Sequence, residues 1–224
     1  MSVATGETAL SHAVSWLRNA IISGELRPGQ RVIQDRVAEA TGLSVAPVRE
    51  GLRVLEQEGQ LDYIPRRGYF VTRLEIADLE EIYALRAILE PRAIRATLPQ
   101  MSEEDFARMR AAADECAEAA MDGAVARELA ANRDFHFSLM EAPGQTHLLR
   151  LIAMLWDSTE AYRALYYNFP DERQAAVLAH EGIMRAAEAW EIDEVIRMQE
   201  AHRDRALVLL RGLLAAGARM GQGA

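Results

Sequence analysis

Apolar positions in the first seventy residues recur three times at helical spacing and then switch period. Ala13, Val14, Leu17, Ala20 and Ile21 predict a helix from Ser11 to Ile22, ended by Gly24 and a turn at Leu26-Arg27-Pro28-Gly29. A second, shorter helix is expected over Gln34–Thr41, with Val37, Ala38 and Thr41 on one side and a stop at Gly42. Leu43-Ser44 then leads into a third over Ala46–Glu58. Ser44 suits the N-cap, Pro47 sits in the first turn where its missing N–H costs nothing, and Gly59 closes the end. Two helices around a tight turn have the layout of a helix-turn-helix. Beyond Gly59 the β-formers Leu61, Tyr63, Tyr69, Phe70 and Val71 flank Pro65-Arg66-Arg67-Gly68, a small hairpin with a basic tip.

From Ile76 the pattern is helical throughout. Six helices are predicted, over Ala77–Leu98, Glu103–Asp122, Val125–Glu141, Thr146–Tyr167, Glu172–Trp190 and Asp193–Arg219. Breaks fall at Pro99, Gly123, Pro143-Gly144 and Pro170-Asp171, Ser102 and Asp105 offer a cap, and Pro91 predicts a kink near Ala87. Short connections make neighbours antiparallel. The expected fold is therefore mainly α: a winged helix-turn-helix unit over residues 1–73 and an all-α bundle of about six helices over 74–224.

Composition supports this reading, with 39 alanines and only 6% aromatic residues among 224. All 25 basic residues are arginine, which excludes Schiff-base and P-loop lysine chemistry. A lone cysteine, Cys116, excludes an internal disulfide and a multi-cysteine zinc site and suits a reducing compartment. No apolar run approaches the roughly 18–20 residues of a bilayer span, and no basic segment followed by an apolar one opens the chain. A soluble, cytoplasmic protein without a membrane partner is expected. The net charge of −9 argues against nucleic acid until it is divided: residues 1–73 hold 9 Arg against 8 acidic residues (+1), and 74–224 hold 16 against 26 (−10).

In the near-neutral part, Arg49 and Arg53 lie four apart on the third helix and Arg66 and Arg67 at the hairpin tip, where guanidinium groups can grip phosphates and fork onto guanine edges. A solvated face is the alternative, because Glu50 and Glu56 share the helix. The run Ile22-Ser23-Gly24-Glu25-Leu26-Arg27-Pro28-Gly29-Gln30, with Val37-Ala38, Gly42-Leu43-Ser44, Pro47-Val48-Arg49-Glu50, Leu52, Leu55, Glu58-Gly59 and Arg67-Gly68, resembles the DNA-binding domain of GntR-family bacterial regulators. The resemblance implies a double-stranded DNA operator of near-palindromic form, bound by a homodimer. Arg36, Ser44, Arg49, Arg53, Arg66, Arg67 and Gly68 make up the candidate DNA-contacting set. Val45 stands where the family usually has Arg or Lys, so the operator sequence does not transfer from relatives.

In the acidic part, three histidines lie on apolar faces of three helices: His136 with Asn132 one turn before it, His180 among Ala176, Ile183 and Ala187, and His202 among Val195, Gln199, Ala206 and Leu209. Each alone reads as a hydrogen-bonded core histidine. Three together with a carboxamide are satisfied at once by a shared divalent ion, with Zn, Ni, Mn and Fe all suited to imidazole. Arg86, Glu90, Asn132-x-x-Phe135-His136, His180 and His202 resemble the FadR-type effector (FCD) domain. That resemblance implies a metal held by Asn132, His136, His180 and His202 beneath a cavity for a small carboxylate. Arg86 is the candidate second anchor of the effector, its alternative being an i,i+4 pair with Glu90 on a solvated face. Trp156, Tyr162, Arg163 and Tyr166 either line the cavity or pack the core. The leading expectation is a transcriptional regulator, most simply a repressor, under effector control. The alternatives are a metal-dependent enzyme with an open three-histidine site, against which no acidic side chain stands as an evident base, and a metal-free regulator with structural histidines.

Overall fold

A computed structural model describes residues 8–73, 75–141 and 144–221, and the chain divides into two compact units, Met1–Leu74 with Asp157–Ala161 and Glu75–Trp156 with Tyr162–Ala224. In the first, α1 (Ala9–Ile22) starts behind Thr8, whose hydroxyl accepts from the Ser11 amide, two residues ahead of the expected start. Helix α2 (Gln34–Thr41) ends on Gly42 at φ +70°, a left-handed turn glycine enters without the Cβ penalty. Helix α3 (Val45–Gln57) follows after Ser44, which occupies the N-cap position without a side-chain capping bond. Strands β2 (Leu61–Ile64) and β3 (Gly68–Val71) form the expected hairpin. The pattern gave no sign of β1 (Arg31–Val32), which pairs antiparallel with β3 and completes a sheet of order β1-β3-β2; two residues are too few to show a period.

The core of this unit is built from Leu17, Val37, Val48, Leu52, Leu55, Leu61 and Val71. At Gly51 a Cβ would lie 3.3 Å from that of Ala13, so two small residues let α1 and α3 approach closely.

From Ile76 onward the described residues form seven α-helices, where six were expected: α4 (Ile76–Thr97), α5 (Glu103–Asp122), α6 (Val125–Ser138), α7 (Thr146–Ser158), α8 (Glu160–Tyr166), α9 (Pro170–Glu188) and α10 (Ile192–Gly221), the end of α7 and the start of α8 being counted with the first unit. The expected helix over Thr146–Tyr167 is broken at Thr159, where Asp157-Ser158-Thr159 brings together residues that favour helix ends over interiors. Pro170 is not a break but the first residue of α9, a position that needs no N–H. Ser102 and Asp105 close the expected capping box at the start of α5. Helix α4 runs through Pro91, and a 3-10 turn (Leu98–Gln100) follows it. Ile94, Leu98, Met109, Phe135, Ile152, Ile183 and Val195 form the packed centre.

Candidate functional site

Helices α6, α9 and α10 each deliver one imidazole to a common point. Their ligand nitrogens all lie within 4.8 Å of one another, with Nε2 of His136 and His180 3.3 Å apart. Asn132 stands one turn before His136 on α6 and is buried. Its Oδ1, the Nδ1 atoms of all three histidines and Oε1 of Gln199 are buried without a hydrogen-bond partner. Orphaned polar atoms of this kind cost about 1–3 kcal/mol each, and four of these five residues, Asn132, His136, Gln199 and His202, line one cavity.

Burial is the main reason all three imidazoles resist protonation. His136 is held well below the ordinary histidine value by burial and then by His180, His202, Arg86 and Arg163. His180 is lowered by burial and then His202, and His202 falls to about 4 through burial and then Arg86. Neutral imidazole is the form that ligates metals. Three nitrogen donors and one neutral amide oxygen fit a divalent ion that prefers imidazole, and a neutral set leaves the ion's double charge uncompensated.

Beside the histidines a small cavity of about 30 Å³ is walled by Arg86, Trp156, Arg163, Tyr166, Gln199 and Arg203, among others. Arg86 is 4% exposed, so the solvated-face alternative is excluded although the pairing itself is present: Nε donates to Glu90 Oε1 at 2.7 Å. Glu90 is fully buried and also accepts from Trp156 Nε1 at 2.8 Å and Arg203 at 3.1 Å. Burial alone would raise its pKa, but Arg86 and Arg203 with the hydrogen bonds outweigh this and hold it ionised. Two guanidinium groups lie over the Trp156 ring, Arg86 at 4.2 Å and Arg163 at 4.4 Å from its centroid.

Of the four residues expected to offer an aromatic side, Trp156, Arg163 and Tyr166 line the cavity and Tyr162 does not, while Tyr167 joins them. Sequence reasoning missed Gln199 and Arg203 as cavity residues. Gln199 had a signal: it lies three before His202 on the same stripe. With three guanidinium groups in the wall and one carboxylate bonded to two of them, the cavity suits an anion.

In the winged unit the arginines project as expected. Arg49 and Arg53 are exposed on α3, Arg49 reaching Gln34 Oε1 at 3.4 Å and Arg53 pairing with Glu50 at 2.9 Å. Arg36 is exposed on α2, Ser44 is exposed, and Val45 is half-buried at the start of α3. At the wing tip Arg66 adopts φ +65°, and Arg67 lies over the Phe70 ring at 5.2 Å. Arg31 on β1 adds a guanidinium the sequence reading did not include, within 3.8 Å of where a Cβ on Gly68 would sit.

Residues 10–71 match the bacterial regulatory proteins of the gntR family, and residues 81–205 match the FCD domain. The chain is a GntR-family transcriptional regulator with an FCD domain. This GntR regulator is 29% identical over 168 residues to the uncharacterized HTH-type transcriptional regulator YdhC of Bacillus subtilis (strain 168), covering 75% of each chain. It is 25% identical over 159 residues to the HTH-type transcriptional repressor GlaR of Escherichia coli (strain K12), covering 67% of this chain and 70% of that one. The fold of E. coli McbR/YncC superposes with a TM-score of 0.80 at 21% identity, over 92% of this chain and 99% of that one. Domains and relatives alike are transcription regulators, which sets aside the enzyme alternative. Among the described residues no helix of the regulator is long and apolar enough to cross a membrane.

Proposed function

We propose that this GntR regulator is a repressor that binds a near-palindromic operator as a homodimer and is controlled by a small organic acid held at a metal site in the FCD unit. The observation that carries the reading is the convergence of three neutral imidazoles, two buried and one half-buried, beside a guanidinium-lined cavity whose wall includes Asn132 with its orphaned oxygen. Asn132, His136, His180 and His202 would hold the ion, which supplies a Lewis-acidic anchor for a carboxylate oxygen. Arg86 clasps the carboxylate from the other side, kept in place by Glu90 and by stacking on Trp156. The repressor sense is supported by GlaR, a repressor by its name.

Operator contacts fall to Arg36, Ser44, Arg49, Arg53, Arg66, Arg67 and Gly68, phosphate contacts fixing position and α3 reading base edges. The effector acts by binding one arrangement of the FCD unit better than another.

The test combines elemental analysis of the purified protein after metal supplementation with a thermal-shift screen of small organic acids, with and without chelator. Stoichiometric metal in the wild type, its loss in His136→Ala and chelator-sensitive stabilisation by an acid are expected. A metal-free wild type after supplementation refutes the metal assignment. Stabilisation by acids that survives chelation would instead favour the metal-free regulator with structural histidines.

A further inference from the structure

Helices α5 and α9 leave a second opening in the bundle, a groove of about 370 Å³ between them. His180 lines this groove, whereas His136 and His202 line the guanidinium-walled cavity. The His180 ring therefore stands between two spaces. Its Nε2 faces His136 at 3.3 Å, and Nδ1, on the far side of the ring, is buried without a hydrogen-bond partner. A histidine that ligates a metal is normally latched through its second nitrogen. This ring is instead held by packing against Phe135, at 4.3 Å between centroids, and can turn without breaking a hydrogen bond at Nδ1.

The two spaces differ in the sign of their charge. On the cavity side an approaching ion meets Arg86, Arg163 and Arg203, of which the Glu90 carboxylate offsets only one charge. The groove is lined by two arginines against three carboxylates. Arg110 and Glu188 pair with each other, which leaves Asp114, Glu181 and Arg185, all exposed. Asp114 and Glu181 make no ion pair among the described residues, and Arg185 donates from Nε to the Glu181 carbonyl at 3.3 Å rather than to a carboxylate. A cleft of one sign concentrates ions of the other, so a divalent cation is drawn to the groove and repelled from the cavity. Size agrees with charge, because the six waters around a hydrated divalent ion occupy about 180 Å³ at roughly 30 Å³ each, which the groove can hold.

We infer that divalent ions reach the three-histidine point through the groove between α5 and α9, drawn in by Asp114 and Glu181 and admitted past the His180 ring. Anions meet the ion from the opposite, guanidinium side. This route rests on the metal assignment proposed above and goes beyond it by naming residues that control loading without ligating.

The experiment follows nickel(II) uptake by the full chain, stripped with chelator, on rapid mixing at low ionic strength. Quenching of Trp156, whose ring lies 5.3 Å from that of His136, gives the rate. Elemental analysis gives the final content, and circular dichroism checks folding. Glu181→Gln is expected to slow uptake about 3-fold and Glu181→Gln with Asp114→Asn about 10-fold, whereas Arg185→Gln speeds it about 3-fold. These differences shrink as salt is added, and the final content stays that of wild type. Ala117→Phe, which fills the groove, slows uptake as well, and Ala206→Phe, on the cavity wall, leaves it unchanged. A wild type that loads at a rate indifferent to every groove change, or that is slowed by Ala206→Phe instead, overturns the route and leaves the metal assignment standing. A wild type that takes up no nickel overturns both, since nitrogen donors bind nickel more tightly than manganese or iron. Should Ala117→Phe fail to fold, the charge changes, all at exposed positions, still decide.

Discussion

Removing the Glu90 carboxylate should be among the most damaging single changes available in the FCD unit. Glu90→Ala leaves three buried donors without their acceptor: Arg86 Nε, Trp156 Nε1 and an Arg203 nitrogen, formerly at 2.7, 2.8 and 3.1 Å. Two of the three carry charge. Breaking a buried ion pair by removing one partner costs about 3–5 kcal/mol, because the surviving charge remains buried. The cavity beside Arg86 and Arg203 admits some solvent, which places the expectation near the lower end, about 3 kcal/mol. Glu90→Gln keeps an oxygen acceptor and the shape but loses the charge, and should cost about half as much. Urea unfolding followed by tryptophan fluorescence reports on the unit through Trp156 and Trp190, with a second transition for the winged unit fitted separately. Destabilisation of Glu90→Ala by less than about 1 kcal/mol, at unchanged slope, would refute the claim that this carboxylate holds the two guanidinium groups in the wall.

Two further outcomes follow. Arg49→Ala should weaken operator binding by about 1–3 kcal/mol in a gel shift if it forks onto a base and should reduce the salt dependence by about one unit if it holds a phosphate; unchanged affinity and slope would remove α3 from the reading role. Stability of the metal-free protein should respond to pH in two opposed ways. His202 titrates near 4 when folded and in the ordinary range when unfolded, so its contribution is complete above about pH 6.5 and is lost as pH falls toward 4, at up to ~1.4 kcal/mol per unit. Glu128 is raised to about 7 by burial, partly countered by Arg173, so its folded form prefers to be neutral and costs stability as pH rises from about 4.5 toward 7. Glu128→Gln should therefore stabilise the protein at pH 8 by about 1–3 kcal/mol in the same urea assay, and destabilisation there would show that the Arg173 contact outweighs burial.

The legibility of this chain in its sequence depended on how local each signal was. The winged unit is written in caps, turns and charges within a few residues of one another, and Gly42, Ser44 and the arginine tip stand where the pattern put them. The histidines were legible for a second reason: a polar side chain on an apolar stripe must point inward, and three such stripes in one bundle converge. The burial of Arg86 and Glu90 was not legible, since an i,i+4 pair looks the same in sequence whether it faces solvent or core. What decides the matter is Trp156, 66 residues beyond Glu90, and Arg203, 113 residues beyond it. The break at Thr159 was missed because its cue is weak propensity in a run otherwise continuous in helical period.

Helix α4 also has a mechanical character. One side of it carries the guanidinium that meets the cavity, and the other side is a helix diameter away, about 10–12 Å, with no loop between. Arg86 is buried on the first of these sides, and Leu85 and Ile88 are exposed on the second. Along the rod the stiffness is uneven. Pro91 has no N–H for the carbonyl of Ala87, so the ladder is interrupted just past Glu90. The segment from Ile76 to that joint is an unbroken lever whose chain leads back to the wing, while Arg92 and Arg95 lie beyond the compliant point. A shift of Arg86 is expected to carry with it the part of α4 before Pro91 more directly than the part beyond.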